Sequence, residues 1–171
     1  VRLSAENNRI YLFWRGIDGK PSFSYSDDEG ESWSTGKIFF MPERSYSFRR
    51  PYTKIYSDGV NKIHITLTDG HPHKEKENSI YYICYENGAF YQADGTKIKN
   101  IEDGPVLPSE ANKVYDGKTG GAKAWNWDIA QDEKGFPVIA YAKFPNDKSH
   151  IYCYARWDGK KWNNYDLVNS G

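Results

Sequence analysis

The stretch Ser26–Trp33 reads SDDEGESW, a Ser-x-Asp-x-Gly-x-Ser-Trp motif that ends an alternating aromatic run. The same skeleton recurs downstream. Gly30, Gly88 and Gly159 each follow such a run, and each is followed three residues later by an aromatic residue. Extending this register backwards divides almost the whole chain into three copies of one four-part unit. A unit repeated at this spacing indicates a repeat architecture, in which each copy is one supersecondary motif.

Each part of the unit alternates apolar residues with period two, as in Ile63, Ile65 and Leu67, and the parts are separated by turn pairs such as Asp58-Gly59. Such a pattern is typical of β-strands joined by tight turns. The sequence therefore predicts an all-β fold, a β-propeller portion of three four-stranded antiparallel blades. The predicted blades span residues 1–42, 50–99 and 122–168. Residues 95–121 form an insertion, predicted to be an irregular loop with one helical turn capped by Ser109.

Three blades are fewer than the four to eight with which propellers typically close. Three alone would leave two apolar sheet faces exposed to water. The chain also begins without a Met and inside a predicted strand. We therefore expect a fragment of a larger propeller, with the remaining blades, or partner chains, covering the open faces.

The charge balance excludes several classes of partner. The 23 Lys and Arg residues equal the 23 Asp and Glu residues, so no basic field is available for a nucleic acid or an anionic membrane. No apolar run is long enough to span a bilayer.

The two cysteines, Cys84 and Cys153, lie at different offsets from their glycines, which predicts two free buried thiols rather than a disulfide.

In a four-stranded meander, the links between second and third strands lie on the same rim as the links between blades. Three of the four histidines and many cations fall on these links, whereas acidic turns fall on the opposite rim. This asymmetry predicts an anionic ligand at one rim. The candidate binding residues are Arg49, Arg50, His71, His73, Lys123, Trp125, Lys143 and His150.

Simpler interpretations stay open for each of these residues. His71 and His73 could form a metal pair, but no third ligand follows, so no metal and no cofactor is predicted. Trp125 could serve packing as well as sugar stacking. Arg49 and Arg50 could only solvate a loop end. Arg156 lies near the acidic rim, where a structural salt bridge is expected.

The SDDEGESW stretch resembles the Asp box of the bacterial neuraminidase repeat proteins. In that family the box is a structural β-hairpin turn whose Asp ties the backbone and whose Trp packs into the blade. The resemblance implies that Ser26, Asp28, Gly30 and Trp33 are architectural residues.

A narrower resemblance covers almost the whole chain. The stretches RRPY (Arg49–Tyr52), TDGHP (Thr68–Pro72), FYQADGTKI, PVIAYAKFP and YARWDG are similar to the BNR-4 group of bacterial repeat proteins, which includes ulvan lyases. The resemblance implies a propeller of about seven blades and a polysaccharide lyase activity that cleaves uronate-containing chains by β-elimination. His71 would be the base and Tyr141 would assist proton transfer. The uronate would be neutralised either by Arg156, which lies in the family-like stretch YARWDG, or by Arg49 and Arg50, which lie on the same predicted rim as His71.

Two alternatives remain at this stage: a sialidase-like glycoside hydrolase and a non-catalytic carbohydrate-binding propeller. The motifs that exo-sialidases need, an arginine triad and a tyrosine–glutamate pair, are not evident. Either enzyme or binder would act on an oligosaccharide or polysaccharide, and the resemblance implies a secreted or periplasmic bacterial protein.

Overall fold

The computed structural model describes residues 1–42 and 48–170, which form three antiparallel β-sheets and three single turns of 3₁₀ helix. The turns are η1 (Ser4–Glu6), η2 (Ile17–Gly19) and η3 (Ile101–Asp103). No helix in this part of the chain is long and apolar enough to cross a bilayer. Residues 43–47, which the topology assigns to a link between the first two blades, lie outside the described ranges.

The first and third sheets are four-stranded meanders, as the sequence predicts. The strands of the first sheet follow chain order: β1 (Arg2–Leu3), β2 (Arg9–Arg15), β3 (Pro21–Ser26) and β4 (Lys37–Ile38). The third sheet has the same order with longer strands: β11 (Lys123–Gln131), β12 (Pro137–Asn146), β13 (Ser149–Trp157) and β14 (Trp162–Ser170).

The second sheet departs from the four-strand expectation. It contains β5 (Thr53–Ser57), β6 (Lys62–Thr68), β7 (Ile80–Glu86), β8 (Ala89–Tyr91), β9 (Lys97–Asn100) and β10 (Asn112–Tyr115). Strand β8 pairs with the last residues of β7, and β10 pairs with its first residues. The fourth-strand position is therefore shared by two segments that are distant in sequence.

The insertion is thus more ordered than the sequence predicts, because much of its backbone finds partners in sheets. Besides β9 and β10, Val106 forms a bridge with Phe40, next to the first sheet. The turn at 108–110 does form, but Glu110 rather than Ser109 caps it: the amide of Leu107 donates to Glu110 Oε2 at 2.8 Å.

Two apolar cores lie between the sheets. The first packs Tyr11 and Phe23 of the first sheet against Ile65 and Tyr85 of the second. The second packs Ile80 and Tyr82 against Ile139, Tyr141 and Cys153 of the third sheet. The middle sheet is therefore covered on both faces, which explains why its strands are apolar at consecutive positions. Cys84 and Cys153 are buried free thiols.

The outer faces of the first and third sheets remain open. On the first sheet Leu12 and Trp14 are 50% and 36% exposed, and on the third Trp127 and Leu167 are 48% and 62% exposed. Exposed large side chains clustered on one sheet face are unusual for a complete domain and indicate a covered interface.

The Asp box forms the β3–β4 turn. The Ser26 hydroxyl donates to Asp28 Oδ1 at 2.7 Å, the amide of Ser32 donates to the same oxygen at 2.9 Å, and Gly30 adopts φ +92°. Trp33 differs from the expectation of a side chain packed into the blade. It is 43% exposed, and its indole N–H donates to the Gly30 carbonyl at 3.1 Å, so it closes its own turn.

Candidate functional site

We call the side of the molecule that carries the β2–β3, β6–β7 and β12–β13 links the upper rim. The side that carries the β3–β4, β5–β6, β7–β8, β11–β12 and β13–β14 turns is the lower rim. The antiparallel pairing of each meander separates these two sets of connections. His71, His73 and His150 lie on the upper rim, and Arg156 lies near the lower one.

The link between β6 and β7 is held in place by buried polar side chains. Asn78 is fully buried: its Oδ1 accepts from the amide of Gly70 at 2.9 Å, and its Nδ2 donates to the carbonyl of Ala124 at 2.7 Å. Its own carbonyl accepts from the amide of Ala124 at 2.8 Å. Asn78 therefore fixes the loop that carries His71 and His73 against the start of the third sheet.

Four aromatic rings meet where this loop reaches the first strands of the second and third sheets. His71 lies 5.4 Å from Tyr52 and 5.2 Å from Trp125, measured between ring centroids, and Tyr52 lies 5.3 Å from Trp125. His73 stacks on His71 at 5.2 Å. We call Tyr52, His71, His73 and Trp125 the upper cluster. Its ring faces and edges are of the kind that hold sugar rings in binding sites lined by aromatic side chains.

The cluster lies in a positive environment. The Arg15 guanidinium stacks over the Tyr52 ring, with its Cζ 4.8 Å from the centroid. Partial burial lowers the pKa of His71, and the nearby charges of His73, Arg15 and Lys74 lower it further. His71 is therefore neutral at pH 7, and the net positive charge comes from the arginine and lysine side chains.

One hydrogen bond sets the tautomer of His71. The backbone amide of His73 donates to His71 Nδ1 at 3.1 Å. In the neutral ring Nδ1 then carries no proton, so Nε2 carries it and acts as a donor. In this state His71 can donate to a carboxylate or hydroxyl oxygen through Nε2.

A cavity of about 660 Å³ runs along the open face of the third sheet, and of the cluster His73 and Trp125 line it, whereas Tyr52 and Arg15 line a separate cavity of about 160 Å³. We call the larger cavity the upper groove. Its volume lies within the range usual for ligand sites. The side chains that line it include His73, Trp125, Trp127, Phe144, His150 and Tyr152.

The structure brings several of the candidate residues to this rim. His71, His73 and Trp125 belong to the upper cluster, and His150 lines the groove, with its ring 4.8 Å from Phe144. Lys123 also lines it. Arg49 and Arg50 are exposed on the same side: Arg49 Nε lies 3.1 Å from Glu75, and the Arg50 side chain packs against Gly19 in the β2–β3 link.

Three other candidates are placed elsewhere. Tyr141 is 1% exposed in the second core and donates its hydroxyl to Asn164 Oδ1 at 2.9 Å. Lys143 points to the opposite face from its neighbours Ala142 and Phe144 and pairs with Asp166 at 2.6 Å. Arg156 pairs with Asp132 near the lower rim, which is the structural salt bridge expected for it. The period-two alternation of strands β12 and β13 produces these orientations.

Sequence reasoning missed two residues of the site, Tyr52 and Arg15. Tyr52 immediately precedes β5, and its backbone pairs with Thr68, which brings it beside the His71 loop: its amide donates to Thr68 Oγ1 at 3.0 Å. Arg15 ends β2 at the same rim. The topology places both at the rim, but only the packing of the first sheet against the second brings them together.

The described residues contain no group of three or more His, Cys, Asp or Glu side chains able to hold a metal ion. Burial raises the pKa of the Cys84 and Cys153 thiols to about 11, so both are protonated at neutral pH. Neither thiol lies on the upper rim, so neither is a candidate nucleophile for this site.

Residues 1–170 match the model of a family described as BNR repeat-containing family members. The chain belongs to this family. No curated protein matches its sequence.

Among solved structures, an ulvan lyase of a polysaccharide lyase family, bound to -[GlcA(1-4)Rha3S]-, aligns with a TM-score of 0.74 and 18% identity. A Hadza microbial sialidase aligns with a TM-score of 0.55 and 11% identity over 88% of this chain. A fucose lectin from Kordia zhangzhouensis aligns less well, with a TM-score of 0.44 and 15% identity over 94% of both chains.

The lyase alignment covers 96% of this chain but 41% of the lyase, and the sialidase alignment covers 32% of the sialidase. The chain therefore spans less than half the length of these two relatives. At these identities the comparison establishes a shared propeller fold, in which this chain corresponds to a part.

Proposed function

We propose that this chain forms part of a glycan-processing propeller and binds an anionic polysaccharide across the upper cluster and along the upper groove. The observation that carries the proposal is the upper cluster, in which the rings of Tyr52, His71 and Trp125 pack within 5.4 Å of one another beside Arg15. Aromatic rings stack on sugars, and an arginine binds a carboxylate through two parallel hydrogen bonds. The family membership and the lyase fold support the same ligand class.

The activity that this arrangement serves best is β-elimination from a uronate. The C5 proton passes to a base, the C4–C5 double bond forms, and the glycosidic oxygen at C4 leaves with a proton. The carboxylate must be neutralised, because the negative charge that develops on it is otherwise too costly. Arg15 takes this role in our proposal, in place of Arg50 and Arg156, and Tyr52 protonates the leaving oxygen in place of the buried Tyr141.

His71 is the candidate base, with one condition. For Nε2 to accept the C5 proton, Nδ1 must carry the ring proton, so the hydrogen bond from the His73 amide has to break. The net cost of losing one such bond is about 0.5–1.5 kcal/mol. Substrate binding has to compensate for this cost, and the lowered pKa of His71 keeps the ring neutral at working pH.

The test uses the protein that carries this chain, incubated with uronate polysaccharides while the ultraviolet absorbance of the unsaturated product is followed. We expect product formation, and we expect His71→Ala to reduce kcat by about 10²–10⁴-fold. Tyr52→Phe should reduce kcat with little change in binding. The control is Lys148→Gln, an exposed change on the same rim. Unchanged activity in both site variants would contradict the assignment.

A non-catalytic binder is the second candidate, and the state of the His71 ring favours it. With Nδ1 occupied, His71 donates from Nε2, which suits a binding site without any change of tautomer. This candidate predicts retention of a uronate polysaccharide without product, and Trp125→Ala should then weaken binding by about tenfold, the equivalent of one aromatic contact. Release of sialic acid instead would support the sialidase alternative.

We further propose that other blades cover the open sheet faces. The blade next to the third sheet would then form the second wall of the upper groove, opposite Trp127 and Tyr152. A polymeric substrate cannot cross a membrane, so this function also implies action outside the cytoplasm. Fractionation of the producing cells tests that location directly.

A further inference from the structure

A second cavity, of about 650 Å³, lies on the lower rim between the turns of the second and third sheets. We call it the lower groove. The β5–β6 and β7–β8 turns form one wall, and the β11–β12 turn forms the other. It shares no residue with the upper groove, and the proposed lyase chemistry does not use it, although part of the FYQADGTKI stretch lines it.

The floor of the lower groove contains a buried polar group with unused hydrogen-bonding capacity. His64 is 3% exposed, and its Nδ1 lies 2.7 Å from the Tyr82 hydroxyl. Its Nε2 is buried and has no partner in hydrogen-bonding geometry among the described residues, although the Gln131 side chain lies close enough to raise its pKa. Buried polar atoms are nearly always paired, so we expect an ordered water or a polar atom of a ligand at this nitrogen.

His64 is neutral and can bind either a hydrogen-bond donor or a hydrogen-bond acceptor. Burial lowers its pKa, and the side chain of Gln131, also in the groove, acts weakly in the opposite direction. A neutral ring with one nitrogen bonded to a hydroxyl offers the other nitrogen as a donor or an acceptor, depending on the tautomer. A ligand hydroxyl, which both donates and accepts, matches this requirement.

The walls combine aromatic surface with amides and carry no excess charge. Tyr91, Phe136 and Gln131 line the groove and are partly exposed, whereas the Gln92 amide is held by the Glu110 carbonyl and the Asn112 side chain. Two of the four charged residues, Lys62 and Glu86, pair with each other at 3.7 Å. The other two, Asp58 and Lys134, have opposite signs, so the groove does not attract an anion as the upper cluster does.

We infer that the lower groove is a second carbohydrate-binding site, selective for a neutral sugar residue. Aromatic faces, amides and a neutral imidazole are the groups that recognise hydroxyls and a sugar ring without a charge. A polysaccharide of alternating charged and neutral sugars would then find different partners at the two rims of this chain.

The test is a titration of the isotopically labelled protein with L-rhamnose, D-xylose and D-galactose, and separately with D-glucuronate, followed by ¹H–¹⁵N NMR. We expect at least one neutral sugar to shift the amide signals of Gly95 and Gly135 and the side-chain amide of Gln131. Glucuronate should instead shift signals from the upper cluster. This separation makes failure of the lower site distinguishable from failure of the proposed lyase function.

Two variants test the assignment. Gln131→Leu removes an amide from the wall, and Lys134→Trp, at an exposed position, fills the mouth. Each should raise the Kd of the neutral sugar at least tenfold, whereas Lys160→Gln, an exposed change on the β13–β14 turn outside the groove, should leave it unchanged. The inference is overturned if no neutral sugar shifts these signals, if both variants bind as well as the parent, or if a sugar-soaked crystal shows an ordered water only at His64 Nε2.

Discussion

The upper and lower rims end the same three sheets, yet they use their polar side chains differently. On the lower rim, Asp28, Asp58, Asp132 and Asp158 accept hydrogen bonds from backbone amides of their own turns. On the upper rim, the side chain of Asn78 bonds to the third sheet, and His71 contacts Tyr52 and Trp125, which lie before or within other strands. Turns that satisfy themselves hold strands together, whereas long links that bond to distant segments assemble sites.

The largest difference between the rims should come from Asn78→Ala. This change leaves the buried amide of Gly70 and the buried carbonyl of Ala124 without their side-chain partners. We expect a loss of roughly 2–6 kcal/mol in the free energy of unfolding, since each of the two unsatisfied groups costs about 1–3 kcal/mol. Glycan binding at the upper groove should be lost as well, while sugar binding at the lower groove persists.

Denaturant unfolding and the NMR titration measure these two effects. The matched control is Asn169→Ala, where the amide oxygen accepts one exposed bond from Ser149. If Asn78→Ala weakened both grooves equally, the upper rim would not depend on this anchor more than the lower rim does.

A smaller effect is expected in the pH dependence of the free energy of unfolding, to which His64 of the lower groove contributes. Burial lowers the pKa of His64 in the folded state, so below the unfolded value of about 6.5 the unfolded chain binds more protons than the folded one. The stability is therefore full above this pH and falls as the pH drops from about 7 towards 5. The slope is at most about 1.4 kcal/mol per pH unit for one proton.

His64→Gln should reduce this slope, because glutamine can still bond to Tyr82 but does not titrate. The matched change on the upper rim is His73→Gln, at an exposed position. Urea midpoints measured at intervals across this pH range decide the outcome, and equal slopes in the parent and the His64 variant would contradict it.

The smallest effect concerns the Asp box. Hydrogen bonds from the hydroxyl and amide of Ser32 and from the Ser26 hydroxyl lower the pKa of Asp28 to about 2. A lowered carboxyl pKa stabilises the fold above the unfolded value of about 3.9, and this contribution is lost as the pH falls through about 2. Asp28→Asn should therefore flatten the acid limb of the thermal unfolding curve below pH 4. An acid limb identical to that of the parent would show that the turn contributes through shape alone.

Much of the fold was readable from local patterns. The glycine register around Gly30, Gly88 and Gly159 predicted where the strands turn, because tight turns need residues that accept positive φ, and all three adopt it. The alternation of apolar residues predicted three antiparallel sheets, and the consecutive apolar residues of β6 and β7 agree with the burial of both faces of the middle sheet. The assignment of histidines to one rim followed from the same topology.

The insertion and the site were only partly readable. Strand β10 has no turn signal linking it to β7, since its partner is about thirty residues earlier and the pairing is set by the space that the short β8 leaves free. The resemblance implied a role for Tyr141, as a residue of a second strand near the rim, but its position in strand β12 directs its side chain into the second core. Tyr52 belongs to the RRPY stretch that carries the resemblance, yet neither it nor Arg15 was assigned a role, because their contact with each other depends on how the first two sheets pack.

Turn chemistry and strand period depend on neighbours within a few residues, so the order of the amino acids was sufficient to specify the strands, the meanders and the rim to which each link belongs. Which side chains meet across sheets depends on the direction each Cβ takes and on how the sheets pack. The packing of the sheets therefore brings His71, Tyr52 and Trp125 together in the upper cluster. It also buries Tyr141 in the second core and places the Nε2 of His64 at the lower groove without a hydrogen-bonded partner among the described residues.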